Sequence, residues 1–197
     1  AVDCGSTAVS TIGWLKEQGI DVIVLDHHQV SDPLPPAVAL VNPQLAPASA
    51  LQKFTELCSA GLAFKLAHAL IKRARELGWT QAHEFDLRPL LDLVALGTIA
   101  DLVPLTGENR ILTKIGLEHL NETKRPGIIA LKEVAQINGE IGCYEVGFQL
   151  APRLNAAGRL ENAEESLRLV LSRDIAEAKP IAESLDSRNR ARQEIER

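Results

Sequence analysis

The amino-acid sequence predicts an α/β fold, with a parallel sheet at the front of the chain and a helical part behind it. Two observations carry the front. Asp21-Val22-Ile23-Val24-Leu25-Asp26 holds four consecutive apolar residues, three of them β-branched. That composition suits a parallel strand covered on both faces. Residues 1–3 read as the end of another strand, with a helical pattern between the two. Strand, helix and strand in that order make a βαβ unit. A third observation carries the back: beyond residue 59 the apolar residues recur at helical spacing, as in Leu62, Leu66, Ala69, Leu70 and Ala74.

The elements follow in order. Residues 6–18 place Val9, Ile12 and Leu15 on one helical face, with Ser6 or Thr7 as cap and Gly19 as stop. Residues 31–36 are a Pro-rich loop, and 37–41 a short strand closed by Asn42-Pro43. Residues 43–57 read as loop, with a helical turn near 51–57. Helices are expected over 59–77, with Leu62, Leu66, Ala69, Leu70 and Ala74 on one side, and over 87–100, which is apolar nearly all round and therefore buried. Further helices are expected over 108–120, 126–136, 144–151 and 163–171. A last one runs from 174 to 197 with a bend at Pro180. No Pro/Gly/Ser linker divides the chain, so residues 1–160 are expected to form one α/β domain. Residues 161–197 would be a helical extension ending in a connector helix.

Composition excludes several classes. Apolar residues make up 46% and charged residues 24% of 197, which is neither a disordered nor a collagen-like mixture. No apolar run is long enough for a membrane span. The net charge is −5, so a general basic coat for nucleic acid is excluded while a local basic site is not. All of that negative charge falls in residues 1–150, and residues 151–197 are neutral. Aromatics are 4%, too few for an extended base-stacking platform. Cys4, Cys58 and Cys143 are odd in number and form no C-x-x-C pair, which fits a reducing cytosol better than a disulfide scaffold. They are expected to be core or half-buried thiols. The chain has no Met and opens abruptly, as an internal fragment would.

Three features fall where an open parallel sheet places its ligands, beyond the C-terminal ends of strands. The first is Asp3-Cys4-Gly5-Ser6, with Ser6 opening a helix whose N-terminus would favour an anion. The second is Asp26-His27-His28-Gln29. The third is Asp101, at the end of the buried helix. Two imidazoles and several carboxylates form a donor set for Mn²⁺, Zn²⁺ or Fe²⁺, and less well for Mg²⁺. Adjacent histidines point differently, so one would bind metal and the other serve substrate or proton work. Asp26 stands where it could orient an imidazole. Taken singly, an Asp before Gly is a common turn, and Asp101 could be an ordinary helix-end residue.

These residues also carry a resemblance. LDHH at 25–28, VDCGST at 2–7 and GTIADLVPL at 97–105 resemble the DHH phosphoesterase superfamily. GENR at 107–110 and PRLNAAGRL at 152–160 resemble its RecJ branch, the bacterial single-strand-specific 5′→3′ DNA exonucleases. The ordered blocks span essentially the whole chain. The resemblance implies a parallel-sheet DHH-type domain, truncated at both ends, from a monomeric cytoplasmic enzyme of DNA repair and recombination. It implies two divalent ions, Mn²⁺ or Mg²⁺, with single-stranded DNA as substrate. It makes Asp3, His27 and Asp101 metal ligands, has His28 face the scissile phosphate, and has Asp26 support the pair. Ser6, Arg110, Asn155 and Arg159 would hold phosphate or shape the site. The family's earlier D-x-D-x-D-G motif and its Gly-Gly-His domain are not in this sequence, so the fragment alone is expected to be inactive. A small-molecule or oligonucleotide phosphoesterase of the same superfamily, or an inactive replication scaffold, are the alternatives.

Overall fold

A computed structural model describes residues 1–46, 54–160 and 163–195, with the side chains of 157–160 outside the description. Two compact units divide between Gly116 and Leu117. The first contains the sheet.

Strand β1 (Ile23–Leu25) pairs in parallel with β2 (Ala39–Val41), Val24 standing opposite Leu40. The N-terminal segment adds a parallel bridge between Val2 and Leu25 on the other side. Asp3 N donates to Leu25 O at 2.9 Å, and Leu25 N to Ala1 O at 2.9 Å. β1 is therefore the middle strand. The expected two-sided burial holds for Val24 and Leu25, but Ile23 is 52% exposed.

Helix α1 (Val9–Glu17) connects the first segment to β1. Its N-cap is Ala8, two residues beyond Ser6 and one beyond Thr7. Gly5 has φ +113°, and the Ser6 amide is taken by the Asp26 carboxylate at 3.0 Å. Both hold residues 5–7 in a turn instead of a helix. A short 3₁₀ turn, Pro43–Leu45, follows β2. Much of the turn expected at 51–57 lies outside the described residues, and 54–58 have no helix.

Helix α2 (Ser59–Glu76) packs by its first turns. Leu62 is buried with Leu25 and Leu57, but Leu66 and Leu70 on the same side are exposed. After the short α3 (Gln81–Glu84) and a 3₁₀ turn at Arg88–Leu90, α4 (Leu91–Ala100) is buried on nearly every side. It crosses α2 closely: a Cβ added at Gly97 would lie 2.6 Å from Ala60 Cβ. Cys58 is in the core, whereas Cys4 and Cys143 are exposed.

Helix α5 (Gly107–Asn121) leads into the helical second unit. There α6 (Pro126–Val134), α7 (Ala151–Leu160), α8 (Glu164–Leu171) and α9 (Ile175–Ile195) follow. Ala178, Ala182, Leu185 and Asn189 give α9 its buried face, and the helix runs through Pro180. PRLNAAGRL, at 152–160, lies within α7. It follows a π-helical turn at Glu145–Leu150. Pro152 has no N–H to continue the ladder, and the Arg153 guanidinium donates to Gln149 O at 2.7 Å.

Candidate metal centre

The parallel register brings the C-terminal ends of the N-terminal segment and β1 to one edge. Asp3 leaves its segment with φ +64°, a left-handed conformation that aspartate tolerates better than most residues. Gly5 is required just beyond. A Cβ there would lie 3.1 Å from Val24 Cγ1, on a backbone with φ +113°. Asp101 arrives from the C-terminal end of α4, followed by Leu102 at φ +59°.

His27 lies between them. Its Nε2 stands 3.4 Å from Asp3 Oδ1 and 3.4 Å from Asp101 Oδ2. That nitrogen is buried and has no hydrogen-bond partner among the described residues. Donor atoms each ~2.0–2.2 Å from one ion stand roughly 3.0–3.5 Å apart at tetrahedral to octahedral angles. The spacing thus fits a shared cation better than a direct hydrogen bond, and a buried nitrogen left without a partner is costly otherwise. Donor atoms of Asp3, His27 and His28 also lie within 4.8 Å of one another.

His28 is oriented differently. Asp26 Oδ1 takes its Nδ1 at 2.7 Å, which leaves Nε2 on a side chain 57% exposed. The two imidazole centroids are 4.3 Å apart. Asp26 itself is 1% exposed. It accepts from the amides of Ser6, His27 and His28 as well as the His28 ring. Burial alone would push its carboxyl up, but those hydrogen bonds, the His28 ring first, hold it well below the ordinary carboxylate range. The bond to Asp26, with the charges of Asp26, Asp3 and Asp101, raises His28 against the opposing effect of burial. Asp101 is raised by burial, opposed by His27 and reinforced by Asp3. Carboxylates that disfavour one another's charge beside a buried imidazole form a site that a divalent cation relieves.

A cavity of about 300 Å³ opens against this cluster, with Asp3, Asp101, Ser59 and Gly97 in its walls. The remaining sequence-derived residues sit differently. Ser6 is 1% exposed. Its amide is on Asp26, and its hydroxyl accepts from Asn42 Nδ2 at 2.9 Å. Arg110 is exposed on α5, and Asn155 is exposed on α7 in the second unit. The Arg159 side chain lies outside the described residues.

Sequence reading missed two buried carboxamides. Asn42 Nδ2 donates to Ser6 Oγ and to His28 O, both at 2.9 Å, while its Oδ1 accepts from Gln44 N. It ties the loop after β2 to the histidine loop. Asn109, inside the GENR block, is fully buried. The Asn-Pro step was a visible signal for the first, and the GENR block contained the second without giving it a role.

The chain also matches known proteins in sequence and in fold. The profile of the DHH family, N-terminal domain, matches residues 1–98. Residues 1–98 are therefore a DHH-family N-terminal domain. Within that family, the chain's similarity is to single-stranded-DNA-specific exonucleases RecJ. It is 45% identical to that of Haemophilus influenzae over 198 residues, covering 99% of this chain and 34% of the relative. It is 43% identical to that of Bacillus subtilis, covering 98% of this chain and 23% of the relative. A crystal structure of RecJ from Thermus thermophilus in complex with Mn²⁺ superposes with a TM-score of 0.83 at 39% identity, covering 99% of this chain and 28% of that one. A RecJ exonuclease structure bound to manganese gives the same score and identity, with 47% of that chain covered. The chain thus spans less than half the length of the relatives it matches.

Proposed function

We propose that this chain supplies one half of a two-metal phosphodiester hydrolysis centre in a 5′→3′ single-stranded-DNA exonuclease of DNA repair and recombination. The observation that carries the reading is the unpartnered His27 Nε2 at 3.4 Å from both Asp3 and Asp101. In support, the relatives named above are single-stranded-DNA-specific exonucleases, and two of the solved ones hold manganese. A third RecJ structure, also from Thermus thermophilus, holds Mg²⁺. Manganese or magnesium would therefore be the ion here.

Asp3, His27 and Asp101 hold the ion, and the second oxygen of Asp3 remains for a neighbouring one. When bound, a pair of ions polarises the phosphate and lowers the pKa of an attacking water. The chain's own residues do the rest. Asp26 fixes the His28 ring through Nδ1, so Nε2 faces the position of the scissile phosphate. Ser6 and Asn42 hold Asp26 and the histidine loop from behind. Arg110 serves the phosphate backbone, whose attraction is salt-dependent. The catalytic residues Asp3, His27, His28 and Asp101 belong to the unit of residues 1–116, and a helical unit, 117–197, follows it in the chain. No helix among the described residues is long and apolar enough to cross a membrane. The parent enzyme acts as a cytoplasmic monomer on DNA ends.

The test is a nuclease assay of the full-length protein on 5′-phosphorylated single strands with Mn²⁺ or Mg²⁺. Asp101→Ala and His28→Ala should each lower turnover by at least ~10²–10³, since several kcal/mol of charge stabilisation are removed and 1.36 kcal/mol is tenfold. Undiminished cleavage by either variant would remove that residue from the mechanism, and cleavage unaffected by chelator would end the metal reading.

A further inference from the structure

The loop that carries Asp101 is short and strained. From the end of α4 it passes Leu102 in the left-handed region and returns to α5 at Gly107, which has φ +48°. Leu102 is 84% exposed, so its own side chain anchors nothing. Asn109, two residues into α5, is fully buried. Its Nδ2 donates to Pro104 O at 3.0 Å and to Glu56 O at 2.6 Å. Both partners are carbonyl oxygens, so the amide cannot be flipped without setting oxygen against oxygen. A carboxamide is also the side chain whose two N–H groups match two converging carbonyls.

The two clamped carbonyls belong to the segments that flank the metal centre. Pro104 lies three residues beyond Asp101. Glu56 lies just before Cys58 and Ser59, which line the cavity against Asp3 and Asp101. One buried side chain therefore fixes the spacing of both segments.

We propose that Asn109 is a positioning residue for the Asp101 ligand: its carboxamide clamps the 102–106 loop to the segment ahead of α2 and so sets the distance from Asp101 to His27. The inference rests on the reading of Asp101 as a ligand, and it assigns a role to a residue that touches neither metal nor substrate. Asn109 Oδ1 and Thr113 Oγ1, one helical turn apart, have no partner among the described residues. The energy of the clamp therefore lies in the two Nδ2 bonds.

The experiment uses this chain as Asn109→Ala, Asn109→Asp and Asn109→Gln variants, with Ile12→Ala on α1 as a destabilised control. Amide hydrogen exchange is read without metal, and Mn²⁺ affinity by electron paramagnetic resonance. In Asn109→Ala and Asn109→Asp, the Asp101 and Leu102 amides should exchange at least about tenfold faster, while those of Val94 and Ala95 in mid-α4 change little. Mn²⁺ affinity should fall about 10–100-fold, as for loss of a residue that orients a ligand. Asn109→Gln, which keeps both donors, should restore part of each. In Ile12→Ala the exchange rates should rise together and the affinity should hold. If Asn109→Ala speeds exchange evenly through α4, Asn109 is an ordinary core residue and the proposal is overturned. If the unaltered chain binds no Mn²⁺, the metal reading fails, and the exchange pattern alone still decides whether the clamp exists.

Discussion

The Nδ1 of His28 lies 2.7 Å from Oδ1 of Asp26, a carboxylate that is almost wholly buried. Through this pairing the exposed imidazole takes its direction from the core. Asp26→Asn keeps the shape but removes the charge and half of the acceptor capacity. With four donors aimed at the carboxylate, the substitution should cost roughly 2–3 kcal/mol, read as a lower urea midpoint of the metal-free chain.

The same pair fixes a pH dependence for the metal-free chain. The folded His28 pKa is raised above 6.5, so its contribution is fully present below about 6.5 and is lost as pH rises through the raised value. The folded Asp26 pKa is lowered from 3.8, so its contribution is present above that value and fades as pH falls through the lower one. The pair should therefore stabilise most between these two limits. In a nuclear magnetic resonance titration, His28 should move back toward 6.5 in Asp26→Asn. A His28 resonance indifferent to that substitution would mean the ring is not held there in solution.

Metal content should separate the ligand role of Asp101 from the phosphate-facing role of His28. Asp101→Ala removes a donor from the 3.4 Å cluster and should weaken Mn²⁺ binding more than tenfold. His28→Ala should leave it nearly unchanged, because Asp26 holds the ring by Nδ1 and its Nε2 is read as facing the phosphate and not the ion. Native mass spectrometry at increasing Mn²⁺ reads both. Equal losses would make His28 a ligand, an arrangement that the 4.8 Å grouping of Asp3, His27 and His28 would then explain.

Two glycines of the first unit should respond oppositely to alanine. Gly13 is in the middle of α1, and an added Cβ meets nothing nearer than Pro36 Cγ at 3.9 Å. Gly13→Ala should stabilise by about 0.5–1 kcal/mol through helix propensity. Gly97→Ala would set a methyl 2.6 Å from Ala60 Cβ and should destabilise by about 1–3 kcal/mol, because α2 and α4 must separate. Thermal unfolding of both variants gives the sign directly.

Which parts of this molecule were legible follows from what leaves a periodic or chemical mark. The β1 run, the all-round apolar α4 and the strand-end Asp3 and His27 each carry their own signal, and parallel pairing then places them together. Helix α2 shows the limit. Leu62, Leu66 and Leu70 share one helical face, yet only Leu62 is buried, because periodicity reports a face and not how far along it packing extends. Ser6 shows another limit. A serine before a helical pattern reads as a cap, but a carboxylate twenty residues away takes its amide. Asn42 and Asn109 act through backbone carbonyls distant in sequence, and no local pattern records such a bond.

The last expectation concerns residues 1–197 by themselves. Among the described residues, the cluster around His27 is the group with donors close enough to share an ion. Asp3, His27 and Asp101 give that ion three protein donors. With His28 read as facing the phosphate, a second ion would have, among the described residues, the free oxygen of Asp3, and one carboxylate with waters holds a divalent ion weakly. The chain should therefore bind close to one Mn²⁺ tightly. Two-ion hydrolysis needs both charges beside the phosphate, and losing one removes several kcal/mol of stabilisation, or at least ~10²–10³ in rate. On 5′-phosphorylated single strands, residues 1–197 should be slower than the full-length protein by at least that factor. Adding excess Mn²⁺ should recover little of it, because the deficit is in ligands and not in metal. Metal-dependent cleavage by residues 1–197 at the full-length rate would show that one ion suffices or that the second finds its ligands here, and the ligand count would be wrong.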